Sequence, residues 1–139
     1  MQAGTHRSRK TRLRVAAAIL RRDGRVLICQ RARSGPYPLL WEFPGGKLEA
    51  GESEPQALAR ELEEELGLQL RPEQIGALVA RLRHRYPRTG TVELAFYEVP
   101  DAGGEPRNRV FEAMAWERVP ALSSYDFLPA DQPLLGMLD

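Results

Sequence analysis

The sequence predicts an α/β domain in which a mixed sheet is packed between helices. Three observations carry that reading. Short apolar runs of strand length lie on both sides of one amphipathic helix, a second amphipathic segment closes the chain, and turn signals separate the pieces without a linker. At 139 residues and 42% apolar side chains, the chain has the size of one domain and can bury roughly two-thirds of its extended surface.

Taken in order, residues 1–14 hold Arg7, Arg9, Lys10, Arg12 and Arg14 and no acid. Residues 1–12 are therefore expected to form a basic, flexible leader ahead of a single domain over 13–139. An arm of that charge also suits nucleic acid, but it lacks interleaved aromatics, so no stable nucleic-acid binding is expected. Val15–Leu20 is a continuous apolar run that predicts a strand buried on both faces. Arg25–Gln30 predicts its hairpin partner across Asp23-Gly24. Residues 34–47 are rich in glycine and proline and predict a loop. Residues 54–66 predict a helix with well-marked ends: Ser53 and Gln56 form a capping box, and Gly67 suits the left-handed position after the last turn. Ile75–His84 and Thr91–Val99 predict two strands joined across Tyr86–Gly90, Ala113–Val119 another, and Pro129–Leu138 a short amphipathic helix.

Composition excludes several classes. Twenty basic and 19 acidic residues nearly cancel, which rules out a histone-like or acidic-tail protein. The longest apolar run is too short to span a membrane, and no signal-peptide core follows the basic start, so a cytoplasmic protein without a membrane partner is expected. One cysteine and two histidines leave no disulfide framework and no His-rich metal site. No Gly-x-Ser-x-Gly occurs, and Cys29 falls in a strand predicted to be buried, so a serine or cysteine nucleophile has no support.

The chemistry is concentrated in the helix. At about 100° per residue, Glu61, Glu64 and Glu65 fall within an arc of about 100°, while Leu58, Leu62 and Leu66 form an adjacent apolar stripe and Glu63 points away. Like charges at these spacings repel, and only Arg60 stands near to offset them. Clustered carboxylates with so little counter-charge point to a hard divalent cation, magnesium or manganese where phosphate is also present. Gly45 and Gly46 add backbone that a ligand can approach closely.

The spacing Gly46, Glu52, Arg60-Glu61-Leu62, Glu64-Glu65, Gly67-Leu68 resembles the Nudix box at every specified position. Seven of those positions demand a particular residue, and chance agreement is on the order of one in 10⁵. The resemblance implies a Nudix-type α/β/α sandwich and cleavage of a nucleoside diphosphate linked to another group. It also implies Glu61, Glu64 and Glu65 as magnesium ligands (manganese as a substitute), with the carbonyl of Gly45 beside them. Arg60 would orient the acids, Glu52 would support the box, and Glu61 or Glu64 could instead serve as general base.

The resemblance extends to the MutT-like branch through Leu40–Lys47 and Phe127–Leu134, which look like the flanks of 8-oxo-dGTP diphosphatases and CTP pyrophosphohydrolases. That branch converts unmodified or oxidised nucleoside triphosphates to the monophosphate and pyrophosphate, a nucleotide-pool sanitation and DNA-repair activity. By position Arg31 would contact phosphate, and Glu42, Phe43 and Asp131 would belong to the substrate site. Two departures stand out. Val110 occupies a position where the branch commonly has a metal-site glutamate, and Glu112, two residues on, would replace it if the chain there is extended. Asp131 stands where MutT has asparagine. Tyr86 leaves room for a hydrolase of dinucleoside polyphosphates or nucleotide sugars, and the third reading is a non-catalytic nucleotide-binding module. A monomer or homodimer suits all three.

Overall fold

In the structure, a computed structural model, residues 12–100 and 104–139 are described. The expected basic leader lies outside them except for Arg12, which opens the first strand. Seven strands form one mixed sheet system: β1 (Arg12–Arg22), β2 (Arg25–Gln30), β3 (Trp41–Glu42), β4 (Gly45–Lys47), β5 (Leu78–Tyr86), β6 (Gly90–Val99) and β7 (Ala113–Glu117). Helix α1 (Glu54–Leu66) covers one face. The other is covered by a 3₁₀ turn at Val119–Ser124 and a single-turn helix α2 (Gln132–Leu135).

β1 organises everything else. Its N-terminal part pairs in parallel with β6 from Arg12↔Thr91 to Leu20↔Val99 and antiparallel with β4 from Val15↔Lys47 to Ala17↔Gly45. Its end turns through Asp23-Gly24 into β2, and both turn residues have the positive φ that a tight hairpin requires, 53° and 75°. Because side chains alternate across a strand, Ala17 and Ile19 enter one core with Phe43, Phe96 and Phe127, while Ala16, Ala18 and Leu20 enter the other. That second core is closed by Leu58, Leu62 and Leu66, the predicted stripe of α1, each 0% exposed. Both ends of α1 are as read: Ser53 Oγ accepts from Gln56 N–H at 3.2 Å, Gln56 answers at Ser53 N–H, and Gly67 has φ of 70°.

Four elements differ from expectation. The 34–47 loop contains β3 and β4, because β2 and β1 supply ladders that local propensity does not reveal. The strand expected at Ile75 starts at Leu78 and runs on to Tyr86, with an irregular register between Leu78 and Ala80. β7 stops at Glu117, since Pro120 sits in the first turn of the 3₁₀ segment that begins at Val119. The closing helix shrinks to Gln132–Leu135: Pro133 confines its start, and Asp131 gives it no side-chain cap.

Among the described glycines, Gly45 makes the tightest approach to other backbone. Its φ is +150°, and a Cβ there would lie 2.1 Å from the carbonyl oxygen of Ala16. Gly45→Ala is expected to cost about 2 kcal/mol or more, read as a fall in Tm of about 5–10 °C by calorimetry. A Tm unchanged from wild type would show that the β1–β4 contact is slack.

Candidate active site

α1 lays its acid-bearing edge on β4. A Cβ at Gly46 would sit 2.3–2.6 Å from the Glu61 carboxylate atoms, so only glycine lets that carboxylate rest on the strand. One turn on, Glu65 Oε1 accepts the N–H of Gly45 at 3.2 Å. Glu64, 58% exposed, projects toward solvent from the same edge. Glu61, Glu64 and Glu65 thus lie along one edge of α1, with Glu65 on the N–H rather than the carbonyl of Gly45.

Arg60 ties the group together. Its guanidinium donates to Glu52 at 2.7 and 2.9 Å and to the Lys47 carbonyl at 3.0 Å, and it reaches Glu61 at 3.2 Å and Glu64 at 3.4 Å. Hydrogen bonds from Arg60 first, and from the Glu49 N–H second, hold Glu52 down at about 2. Glu52 therefore stays ionised, anchoring Arg60 and through it the box loop. Burial, followed by repulsion from Glu61 and Glu42, pushes Glu65 up to about 8, and burial also raises Glu61.

Burial forces both of these half-buried acids upward, Arg60 offsets Glu61 only in part, and the donor set is all oxygen. These features fit a hard divalent cation. Among the described residues no three acidic, histidine or cysteine side chains already converge on one point, since Arg60 holds Glu61 and Glu64.

Beside this edge lies a cleft of about 220 Å³, and Glu65 lines it. The rest of its wall includes Arg31, Glu42, Phe43, Tyr86, Leu128 and Asp131. Arg31 donates to Glu42 at 2.8 Å and to the Pro36 carbonyl at 3.0 Å. Burial raises the pKa of Glu42 against the pull of Arg31. Phe43 packs on Phe127 with ring centroids 5.4 Å apart and still faces the cleft, so it serves core and site together. Asp131 is 3% exposed, and Oδ2 accepts the Phe43 N–H at 3.1 Å. Burial pushes it up to about 7, with the Phe43 N–H pulling the other way.

Tyr86, marked in the sequence only for the dinucleoside polyphosphate alternative, lines the same cleft as Asp131. Its hydroxyl accepts the Ala130 N–H at 3.1 Å, next to Asp131, and its ring meets Tyr37 at 5.0 Å. The signal was present in the strand-end tyrosine, but its partner lies 44 residues away. Glu112 sits elsewhere. It is exposed, pairs with Arg33 at 3.5 Å, and does not line the hollows that Glu65 lines, whereas Val110 does. Residues 110–112 precede β7, so the strand alternation that would align the two positions does not apply. Cys29 is fully buried, and burial pushes its thiol up, away from nucleophilic use.

An acid edge suited to a cation, opening into a nucleobase-sized cleft, is the arrangement of a metal-assisted hydrolase of phosphoric anhydride bonds. The chain belongs to the Nudix family: the NUDIX domain model matches residues 10–135, and hydrolases of this family need a divalent metal. It is 43% identical over 118 residues to a putative 8-oxo-dGTP diphosphatase 2 of Mycobacterium tuberculosis, covering 85% of this chain and 81% of that one. It is 40% identical over 124 residues to the CTP pyrophosphohydrolase of Escherichia coli, covering 88% of each. The solution structure of the E. coli ORF135 protein superposes with a TM-score of 0.80 at 36% identity, covering 94% of this chain and 90% of that one. Among the described residues no helix is long and apolar enough to cross a membrane.

The raised acids make stability pH-dependent. Glu65 in the folded protein holds its proton up to about 8, above the ordinary carboxylate value, so the folded state binds more protons across that interval and loses stability as pH rises through it. Thermal melts of metal-free protein should therefore show Tm falling from about pH 5 to about pH 8. Glu65→Gln should flatten the fall, and magnesium should raise Tm more at the alkaline end, where Glu65 gives up its proton. A Tm that climbs over that range would contradict the assignment.

Proposed function

We propose that the protein hydrolyses nucleoside and deoxynucleoside triphosphates, oxidised or otherwise modified ones such as 8-oxo-dGTP among them, to the monophosphate and pyrophosphate. It would act on the free nucleotide in the cytoplasm, sanitising the nucleotide pool, with magnesium as its ion and manganese as a substitute. One observation carries the reading: Glu65 of the acid edge lines the same cleft as Asp131, Phe43 and Tyr86. A nucleotide with its base in that cleft has its phosphates at the acids.

Glu61, Glu64, Glu65 and the Gly45 carbonyl would hold the ion, which when bound neutralises phosphate charge and lowers the pKa of water. Arg60, fixed by Glu52, orients Glu61 and Glu64. Arg31, braced by Glu42, lines the cleft as a cation available to phosphate. Whichever of Glu61 and Glu64 is not holding the ion takes the proton of the attacking water. The water oxygen bonds to the β-phosphorus, the bond to the bridging oxygen of the α-phosphate breaks, and the monophosphate leaves.

Two outcomes test the chemistry. Glu61→Gln and Glu65→Gln should each lower kcat by about two orders of magnitude or more while the protein stays folded, and EDTA should abolish turnover. In ¹⁸O-water the label should enter pyrophosphate and spare the monophosphate. Release of inorganic phosphate with a nucleoside diphosphate would overturn the proposed bond cleavage.

Asp131 should set base preference. Its Oδ2 is engaged by the Phe43 N–H, which leaves Oδ1 to accept from a base. Guanine, 8-oxoguanine and cytosine present donors flanked to suit it, whereas thymine and uracil set a single N–H between two carbonyls. Guanine- or cytosine-type triphosphates should exceed dTTP and UTP by about tenfold to a hundredfold in kcat/KM. Because burial pushes Asp131 up to about 7, and a proton on the free Oδ1 would turn it from acceptor to donor, the margin should widen above that pH. Asp131→Asn, which keeps an acceptor for Phe43, should reorder the bases without altering metal dependence. An unchanged order would remove Asp131 from the site.

A further inference from the structure

Glu54 lies outside the acid edge's contacts and outside every position that the box specifies. It opens α1 and is 8% exposed. Its carboxylate receives donors from three strands. Both terminal nitrogens of Arg81 on β5 form a fork to it, Arg14 Nη2 on β1 donates at 3.0 Å, and the Tyr97 hydroxyl on β6 donates as well. Burial works against its charge, but hydrogen bonds from Arg81, Tyr97 and Arg14 outweigh burial and hold it below the ordinary value. A buried, four-fold bonded carboxylate is a costly feature, and no step of the hydrolysis uses it.

Its place on the helix explains it. Seven and eleven residues on from Glu54, Glu61 and Glu65 return to within about 20° of the same azimuth. Clamp and site acids therefore share one edge of α1. That edge has little room to move, since Glu65 bonds the Gly45 N–H at 3.2 Å and Glu61 rests on Gly46. A roll of α1 by about 10° would carry a carboxylate about 6 Å from the axis through about 1 Å, enough to cost on the order of a hundredfold in rate. The leucine stripe resists such a roll weakly because apolar contact is non-directional. A forked guanidinium–carboxylate pair is directional. At the far end, the N–H groups of Arg107 and Arg109 bond the carbonyls of Leu66 and Glu65 and fix the helix there.

We propose that Glu54 is a positioning residue for hydrolysis: its clamp to β1, β5 and β6 sets the roll of α1 and so keeps Glu61 and Glu65 seated on β4.

The test uses two variants of the full chain. Glu54→Gln keeps the size and removes the charge, and Tyr97→Phe removes one donor while leaving the arginine fork. Manganese binding to metal-free protein is measured by calorimetry, and kcat and KM are measured with the best triphosphate, at a temperature well below each Tm. Glu54→Gln should weaken manganese binding about tenfold and lower kcat about tenfold to a hundredfold, with KM changed less than about threefold. Tyr97→Phe should fall between it and wild type. Should Glu54→Gln fail to fold, Tyr97→Phe decides by the same two readouts. Manganese affinity and kcat within about twofold of wild type in a folded variant, whatever its Tm, would overturn the proposal. Manganese affinity tests the clamp even if no triphosphate proves to be a substrate.

Discussion

The constraint on which this structure depends is the approach of two like-charged carboxylates to a strand with no side chains between them. Glu61 and Glu65 lie on Gly46 and Gly45, and Gly45 is itself pressed on the backbone of Ala16. Three layers meet there with no space to spare. Because the acids are partly stripped of water and repel one another, they hold protons more tightly than free carboxylates do. Because they must not drift, Arg60 is pinned to Glu52 and the Lys47 carbonyl on one side of the box. The rest of the sheet serves the same end: β1 can support β4 only because β6 and two cores support β1.

How much of this was legible follows the distance between interacting residues. The hairpin at Asp23-Gly24, the caps of α1 and its leucine stripe are contacts within a few positions, and each stands as read. The acid edge was legible for the same reason, since one helix supplies all three glutamates. β3 and β4 were not, because Gly45-Gly46-Lys47 is a strand only by virtue of β1. Glu54 carried no signal of its clamp in the sequence, because its arginine and tyrosine partners lie 27, 40 and 43 residues away.

The cleft shows the same limit from the side of function. Asp131, expected in the substrate site, gives the closing helix no side-chain cap; its Oδ2 instead accepts the N–H of Phe43, 88 positions earlier. Glu112 was aligned with Val110 by a rule for extended strands, but the strand begins only at Ala113. Spacing rules are reliable inside an element and lose force at its boundary.

The C-terminal segment is fastened to the rest by backbone. Trp41 and Phe127 form a parallel bridge, with Trp41 N–H donating to the Asp126 carbonyl and Leu128 N–H to that of Trp41. Such bonds are indifferent to which side chains the segment carries. On the proposed reading, the bond-breaking acids and the far wall of the cleft are therefore written in separate stretches of the gene, one around residues 45–65 and the other ending near 131. Mutation in the second could then alter which nucleotide fits while leaving the first, and the bond it breaks, as they are.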